Sequence, residues 1–145
     1  MKNSARHLFR RHSRKRAAIL ELFRSSETHP GALSIYEQLK PELQDLSLGT
    51  VYRNIKILIE EGELASIGVI NGEERFDGEP EPHSHTVCTR CGTIRDLPEK
   101  TETELSAHFP KEIPGFIIEI RNTMFYGLCI RCKSDGCVET TALGR

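Results

Sequence analysis

A chain of 145 residues can bury one modest core or two small ones, and the smaller of two would need a staple. It holds no apolar run long enough to cross a bilayer, and its charged N-terminus lacks a signal peptide's apolar core, which predicts a cytoplasmic protein with no membrane partner whose five cysteines serve metal or redox chemistry rather than structural disulfides. The formal charge of −1 conceals a polarity, because residues 1–16 hold seven Lys or Arg and no acid while residues 63–145 carry nine basic and fourteen acidic side chains, so the basic end points toward nucleic acid.

In chain order, Ser13 can cap a first helix in which Ala17, Leu20 and Phe23 fall near one face with Ile19 beside them, ending before Glu27-Thr28-His29-Pro30-Gly31. Ser34-Ile35-Tyr36-Glu37 reads as a capping box opening a second helix, with Ile35, Leu39 and Leu43 inward and Pro41 limiting its regularity. Ser47 caps a third helix whose Val51, Ile55, Leu58 and Ile59 recur at helical spacing before Gly62 closes it. Ser66 to Ile70, the turn Asn71-Gly72 and the return from Glu73 to Asp77 then form a hairpin. Three short helices followed by a hairpin make a winged helix-turn-helix, expected over residues 1–77. In that arrangement the third helix turns Thr50, Tyr52, Arg53 and Lys56 toward the major groove of double-stranded DNA.

Gly78-Glu79-Pro80-Glu81-Pro82 reads as a hinge over residues 78–82, and a second domain is expected over 83–145. His83 and His85, two apart on extended backbone, can aim both imidazoles at one ion. Cys88-Thr89-Arg90-Cys91 forms a tight knuckle, followed by an extended stretch from Thr93 to Leu97, a helix near Glu99 to Phe109 and a long strand from Gly115 to about Leu128. Phe116, Ile118 and Ile120 alternate there with Ile117, Glu119 and Arg121, as in a half-buried sheet. The strand leads into a second knuckle, Cys129-Ile130-Arg131-Cys132. Four thiolates from two such pairs suit a structural Zn2+, whereas imidazoles mixed with carboxylates suit an exchangeable ion, so two sites of different character are expected. Cys137 is read as a spare thiol and His108 as a packing or surface histidine. The fold class is α+β, an N-terminal winged helix-turn-helix followed by a small C-terminal α/β dimerisation domain stapled by a four-cysteine zinc site.

The run Ser47-Leu-Gly-Thr-Val-Tyr-Arg-Asn-Ile with Leu58 and Gly62, then Arg75-Phe-Asp77, His83-x-His85, Cys88-x-x-Cys91-Gly92 and Tyr126-Gly-x-Cys129-x-x-Cys132 together resemble the ferric uptake regulator (Fur) family, from about Leu8 to Cys132. The resemblance implies a homodimeric, metal-activated bacterial repressor of transcription bound to operator DNA, and not an enzyme. It implies regulatory Fe2+ or Mn2+ on His29, Asp77, His83, His85 and Asp96, a DNA contact from Arg11 in the basic arm, and a dimer seam for which the strand Gly115 to Leu128 is the candidate.

Asp96 stands where iron-sensing members usually have Glu and the peroxide-responsive repressors (PerR) have Asp. Pro82 and Ser84 stand where the iron-sensing branch often has extra ligands, and residues 121–128 contain no histidine. The resemblance is therefore nearest to the peroxide-responsive branch, which implies His29 and His83 as the histidines oxidised by hydrogen peroxide. One departure is Ser13-Arg14-Lys15-Arg16, where the family usually has Thr-Pro-Gln-Arg, and it leaves the arm's DNA contacts open.

Three imidazoles and two carboxylates make a harder site than four thiolates, suited to Fe2+ or Mn2+. His29 lies in the DNA-binding half and three of its companions in the other, so one ion would tie the halves together and select their angle. Other readings are an iron- or manganese-sensing repressor without peroxide sensing, a thiol-disulfide oxidoreductase using Cys88 and Cys91, and a zinc hydrolase using His83, His85 and Asp96. The oxidoreductase lacks a βαβ setting and leaves the second cysteine pair unexplained, and the hydrolase lacks a general base at recognisable spacing.

Overall fold

Apolar residues three and four apart on three successive helices converge on one core. Ile19 and Phe23 come from α1 (Arg14–Arg24), Ala32, Ile35 and Leu39 from α2 (Ala32–Leu39), and Val51, Ile55 and Leu58 from α3 (Leu48–Glu60). Leu43, Leu46, Leu64 and Phe76 complete it. The protein is seen here as a computed structural model that describes residues 13–134, so Arg11 and Cys137 lie outside the described residues.

Caps explain where α3 begins and ends. The Ser47 hydroxyl accepts from the Thr50 backbone N–H at 3.1 Å and opens α3, and Gly62, at φ +73°, lies just past its end in the left-handed region that a side chain would strain. The capping box expected at Ser34 does not form. Helix α2 starts at Ala32 behind an extended Gly31, because Ala32 must turn into the core, and the Ser34 hydroxyl instead accepts from the Gln38 side chain. Leu43 is buried as expected but beyond the end of α2, and Ile59 is 38% exposed, one residue around the helix from the buried Leu58.

Strands β1 (Ala65–Ile70) and β2 (Glu73–Asp77) pair antiparallel around Asn71 and Gly72, both at positive φ, the geometry a two-residue hairpin turn requires. Together α1 to α3 and this hairpin form the winged helix-turn-helix. Ile70 at the end of β1, with Ile67, packs against Val87, Ile94 and Met124 of the second half, so the wing rests on the sheet that follows it.

That sheet has the order β4-β3-β7, from β4 (Ile94–Asp96), β3 (His85–Cys88) and β7 (Met124–Gly127), with β3 antiparallel to β4 and parallel to β7. The parallel pair needs a crossover, which contains α4 (Glu99–Ser106) and a small hairpin of β5 (Glu112–Ile113) and β6 (Phe116–Ile117). Helix α4 is shorter than the expected span to Phe109. The long strand from Gly115 to Leu128 is not one strand either. It divides into β6 and β7, and Phe116 and Ile120 of one expected face and Ile117 of the other are 63, 68 and 74% exposed, because nothing within the described chain covers them. A last short helix, α5 (Ile130–Lys133), carries the second knuckle.

The Gly78 to Pro82 segment joins the halves. A Cβ on Gly78 would lie 2.7 Å from the Arg24 backbone, so its first residue passes tight against the end of α1.

Candidate metal centres

Two groups of metal-ligating side chains gather among the described residues. One is Cys88, Cys91, Cys129 and Cys132, the other His29, Asp77, His85 and Asp96, and within each group the ligand atoms lie within 4.8 Å of one another.

Strand pairing assembles the histidine and carboxylate group. His85 opens β3 and faces Asp96 across the antiparallel register, while Asp77 ends β2. His29 comes from the loop between α1 and α2, in the left-handed region at φ +48°. The His85 Nε2 lies 3.0 Å from Asp77 Oδ2 and 3.4 Å from Asp96 Oδ1. His83, just before β3, brings Nε2 within 3.0 Å of Asp77 Oδ2 and 3.1 Å of Asp96 Oδ1. The five residues expected to hold the regulatory ion thus meet around two carboxylate oxygens, four in the tight group and His83 beside it.

One atom tests the fit of a metal directly. The Nε2 of His29 is buried and paired with Asp96 Oδ1 at 2.7 Å, with no well-aligned hydrogen bond. A buried imidazole nitrogen without one is costly unless a ligand takes its lone pair. His83 is prepared differently. Its Nδ1–H donates to the Glu81 carbonyl at 2.7 Å, which leaves Nε2 toward the carboxylates, as in histidines oriented for metal binding.

The titration behaviour follows from the same surroundings. Burial holds the pKa of His29 below its ordinary value, against the pull of Asp77 and Asp96. Burial also opposes the charged form of His83, but the Glu81 carbonyl, Asp96 and Asp77 together carry its pKa above the ordinary value. Asp77 is buried, which pushes its pKa up, and the bond to His85, the Glu79 N–H at 2.8 Å and the nearby His29 and His83 overcome this and hold it down. Buried imidazoles beside an ionised carboxylate make a ready donor set for a divalent cation.

The cysteine group sits at the far end of the same sheet. Register pairs Cys88 with Gly127 across β3 and β7, so the knuckle that follows each strand meets the other. Backbone N–H groups of Cys91 and Cys129 point at Cys88 Sγ at 3.5 and 3.4 Å, and Thr93 Oγ1 lies 3.1 Å from Cys91 Sγ. Burial opposes ionisation of Cys88, but the N–H groups of Cys129, Cys91 and Arg90 outweigh it and bring its pKa to about 6. Hydrogen bonding to Thr93 comes first in lowering that of Cys91. None of the four is in a disulfide. A Cys88 thiol readily ionised at neutral pH, with three more cysteines converging on it without a disulfide, has the chemistry of a closed zinc site.

On α3, Tyr52, Arg53 and Lys56 stand exposed on the side away from Val51, Ile55 and Leu58. Thr50 is only half-exposed, and its hydroxyl lies 2.8 Å from that of Ser47, so it belongs to the helix cap more than to the free face. Reading the sequence missed Asn54, buried between Thr50, whose carbonyl accepts from Nδ2 at 2.9 Å, and Arg16, whose Nε donates to Oδ1 at 3.2 Å. It also missed Arg75, whose guanidinium donates from Nε to the His29 carbonyl at 2.6 Å and from Nη2 to the Thr28 carbonyl at 3.0 Å. A signal for the second was present, because residues two apart on a strand share a side and Arg75 precedes Asp77 by two. His108 is exposed, and its Nδ1–H donates to the Glu104 carbonyl one helical turn back.

Residues 9–119 match the ferric uptake regulator family. The chain is similar to the peroxide-responsive repressor PerR of Staphylococcus epidermidis, with 31% identity over 124 residues that span 84% of this chain and 81% of that protein. It is equally similar to the peroxide-responsive repressor PerR of Staphylococcus aureus, at 31% over 121 residues, 82% of this chain and 80% of that protein. Among solved structures, the Campylobacter jejuni peroxide stress regulator superposes with a TM-score of 0.68 at 30% identity, covering 81% of this chain and 88% of that one. The Helicobacter pylori ferric uptake regulator Fur superposes with a TM-score of 0.69 over 83% of this chain and 81% of that one, a likeness of fold at 20% identity.

Proposed function

The chain belongs to the ferric uptake regulator family, and from that premise we propose that it is a homodimeric, metal-dependent repressor that holds double-stranded operator DNA and releases it when hydrogen peroxide oxidises His29 or His83. The observation that carries this reading is the buried Nε2 of His29, which meets the carboxylate of Asp96 from the other half of the molecule at 2.7 Å without a well-aligned hydrogen bond.

In this reading residues 1–77 bind DNA, 78–82 are the hinge and 83–145 form the metal-binding dimerisation domain. Cys88, Cys91, Cys129 and Cys132 hold structural Zn2+. His29, Asp77, His83, His85 and Asp96 hold the regulatory Fe2+ or Mn2+. When bound there, ferrous iron would supply one-electron activation of peroxide, the net change being one peroxide oxygen gained by an imidazole carbon and the other released as water. The chain's own residues do the rest. Asp77 and Asp96 draw three imidazoles to one point, and burial of His29 and His85 keeps water from competing. An oxygen on His29 or His83 spoils a ligand nitrogen, and the tie between the DNA-binding half and the sheet is lost. Tyr52, Arg53 and Lys56, with Arg11 from the arm and Thr50 at the start of the helix, meet the DNA, and the separation of two such helices in the dimer must match half-sites roughly 34–36 Å apart or a multiple of it.

The 31% identity to peroxide-responsive repressors and the Asp at position 96 support the peroxide branch over a purely iron- or manganese-sensing repressor. The gathering of Cys88 and Cys91 with the second pair supports a staple over a thiol-disulfide oxidoreductase.

The test uses protein stripped by a chelator mild enough to leave zinc in place, and duplexes selected from a random-sequence library. Retention of a selected duplex should require Mn2+ or Fe2+, and peroxide should release the Fe2+ complex while sparing the Mn2+ complex. Equal retention with and without added metal would overturn the proposal.

A further inference from the structure

His29 is held by more than its own loop. Three consecutive carbonyls of that loop, those of Thr28, His29 and Pro30, each accept a hydrogen bond from β2: two from the Arg75 guanidinium, at 3.0 and 2.6 Å, and one from the Phe76 N–H at 3.3 Å. The Glu73 side chain of the same strand reaches over the loop, its carboxyl about where a Cβ on Gly31 would fall, at 2.0 Å. Glu73, Arg75 and Asp77 are spaced by two on β2 and so share a side of the strand. One face of β2 therefore supplies both a carboxylate of the centre and the seat of a histidine that belongs to it.

The seat is under strain that something must offset. His29 lies at φ +48°, a conformation costly for a residue with a side chain and kept only where neighbouring contacts over-determine it. Its carbonyl receives the shorter of the two Arg75 bonds. The bonds are charge-assisted, and the planar guanidinium spans two adjacent carbonyls at once, which an ammonium cannot do in the same way.

We infer that Arg75 is the positioning residue for His29: its guanidinium fixes the strained loop backbone so that the His29 imidazole stands against Asp77 and Asp96 before any ion arrives. Arg75 touches no ion in this scheme and acts through His29. This rests on the proposed metal reading of the site and extends it to a residue outside the donor set. The consequence is selective. Without Arg75 the loop relaxes, His29 leaves the site, and His83, His85, Asp77 and Asp96 stay on the sheet and the end of β2.

The experiment measures Mn2+ affinity by the loss of free-ion electron paramagnetic resonance signal, using full-length zinc-loaded protein and the variants Arg75→Gln, Arg75→Lys, His29→Ala and the Arg75→Gln/His29→Ala double variant. Arg75→Gln should weaken Mn2+ binding by roughly 10- to 100-fold, the range found when partners that orient a ligand are removed. Arg75→Lys, which keeps the charge and can reach one carbonyl, should fall between it and the parent, and it carries the test if Arg75→Gln fails to fold. In the His29→Ala background, Arg75→Gln should have no further effect beyond about twofold, because an arginine that acts through His29 has nothing left to position. Parent-like affinity in both Arg75 variants overturns the inference, as does an equal loss in both backgrounds. If His29→Ala alone leaves the affinity unchanged, the metal reading itself fails and this inference falls with it. If His29→Ala weakens binding and the Arg75 variants do not, the metal reading stands and only the inference falls.

Discussion

His29 and His83 sit in one group of side chains and titrate in opposite senses, and this sets how acid acts on the centre. The pKa of His83 is raised, so as pH falls a proton competes with metal there first, beginning above the ordinary imidazole value of 6.5. The pKa of His29 is lowered by burial, so protonation of His29 contributes only further below 6.5. Mn2+ affinity should therefore decline through the window just above pH 6.5 by up to about tenfold per pH unit for one displaced proton, and His83→Ala should flatten that slope while lowering the affinity itself. A titration of Mn2+ binding between pH 8 and 6 checks both. His83 and His85 are legible in the sequence because two residues two apart carry the same chemistry beside a cysteine knuckle. His29, Asp77 and Asp96 are ordinary residues one by one, named as ligands only by the family resemblance, because the register and loop geometry that bring them together are not encoded in local spacing. Arg75 escapes notice for a related reason, since its partners are backbone carbonyls 46 and 47 residues away.

In the proposed function DNA recognition depends on helix α3, and its two faces can be tested apart. Arg53→Ala removes an exposed guanidinium and should weaken binding to a selected duplex by about 1–3 kcal/mol with Mn2+ uptake unchanged. Ser47→Ala removes the cap that receives the Thr50 N–H and should lower stability by about 1 kcal/mol, seen as a shifted denaturant midpoint. If Arg53→Ala binds as the parent does, the reading face lies elsewhere. Helix α3 and the wing can be read from punctuation, Ser47 and Gly62 for the helix and Asn71-Gly72 for the turn, whereas α1 is read from its periodicity, since Ser13 stands at its N-cap without a side-chain cap bond. The start of α2 cannot, since Ser34 offers a convincing cap motif while burial of Ala32 decides the matter. The strand after Gly115 is overread for the converse reason. Alternating apolar residues imply a covered face, but here Phe116, Ile117 and Ile120 remain exposed in the single chain, so the cover the pattern calls for is not supplied within its described residues.

At the scale of the whole molecule, an apolar contact and a polar one are the most telling of those that join the halves among the described residues. One is the apolar patch of Ile67 and Ile70 on Val87, Ile94 and Met124, and the other is the histidine and carboxylate group. The first needs no metal, which means that an ion has only to add to an arrangement already favoured. Shifting the pair of halves from mostly open to mostly closed by metal alone would need about 5 kcal/mol of differential affinity, and the patch reduces that requirement. The zinc staple belongs to the same scale. Cys129→Ser should release zinc and loosen both the sheet and the dimer, because a structural zinc site contributes folding free energy directly, and sedimentation with zinc analysis would detect it. Cys137→Ser should be silent in that assay.

The most direct test of the central claim weighs peptides. Protein loaded with Fe2+ or with Mn2+ is given a small excess of hydrogen peroxide, digested and analysed by mass spectrometry. The account predicts a gain of about 16 Da on the peptide containing His29 or His83 with iron only, while the zinc-bound cysteines stay unmodified. Oxidation falling first on Cys88 or Cys91, with zinc lost and both histidines intact, would contradict it and make this a thiol-based sensor.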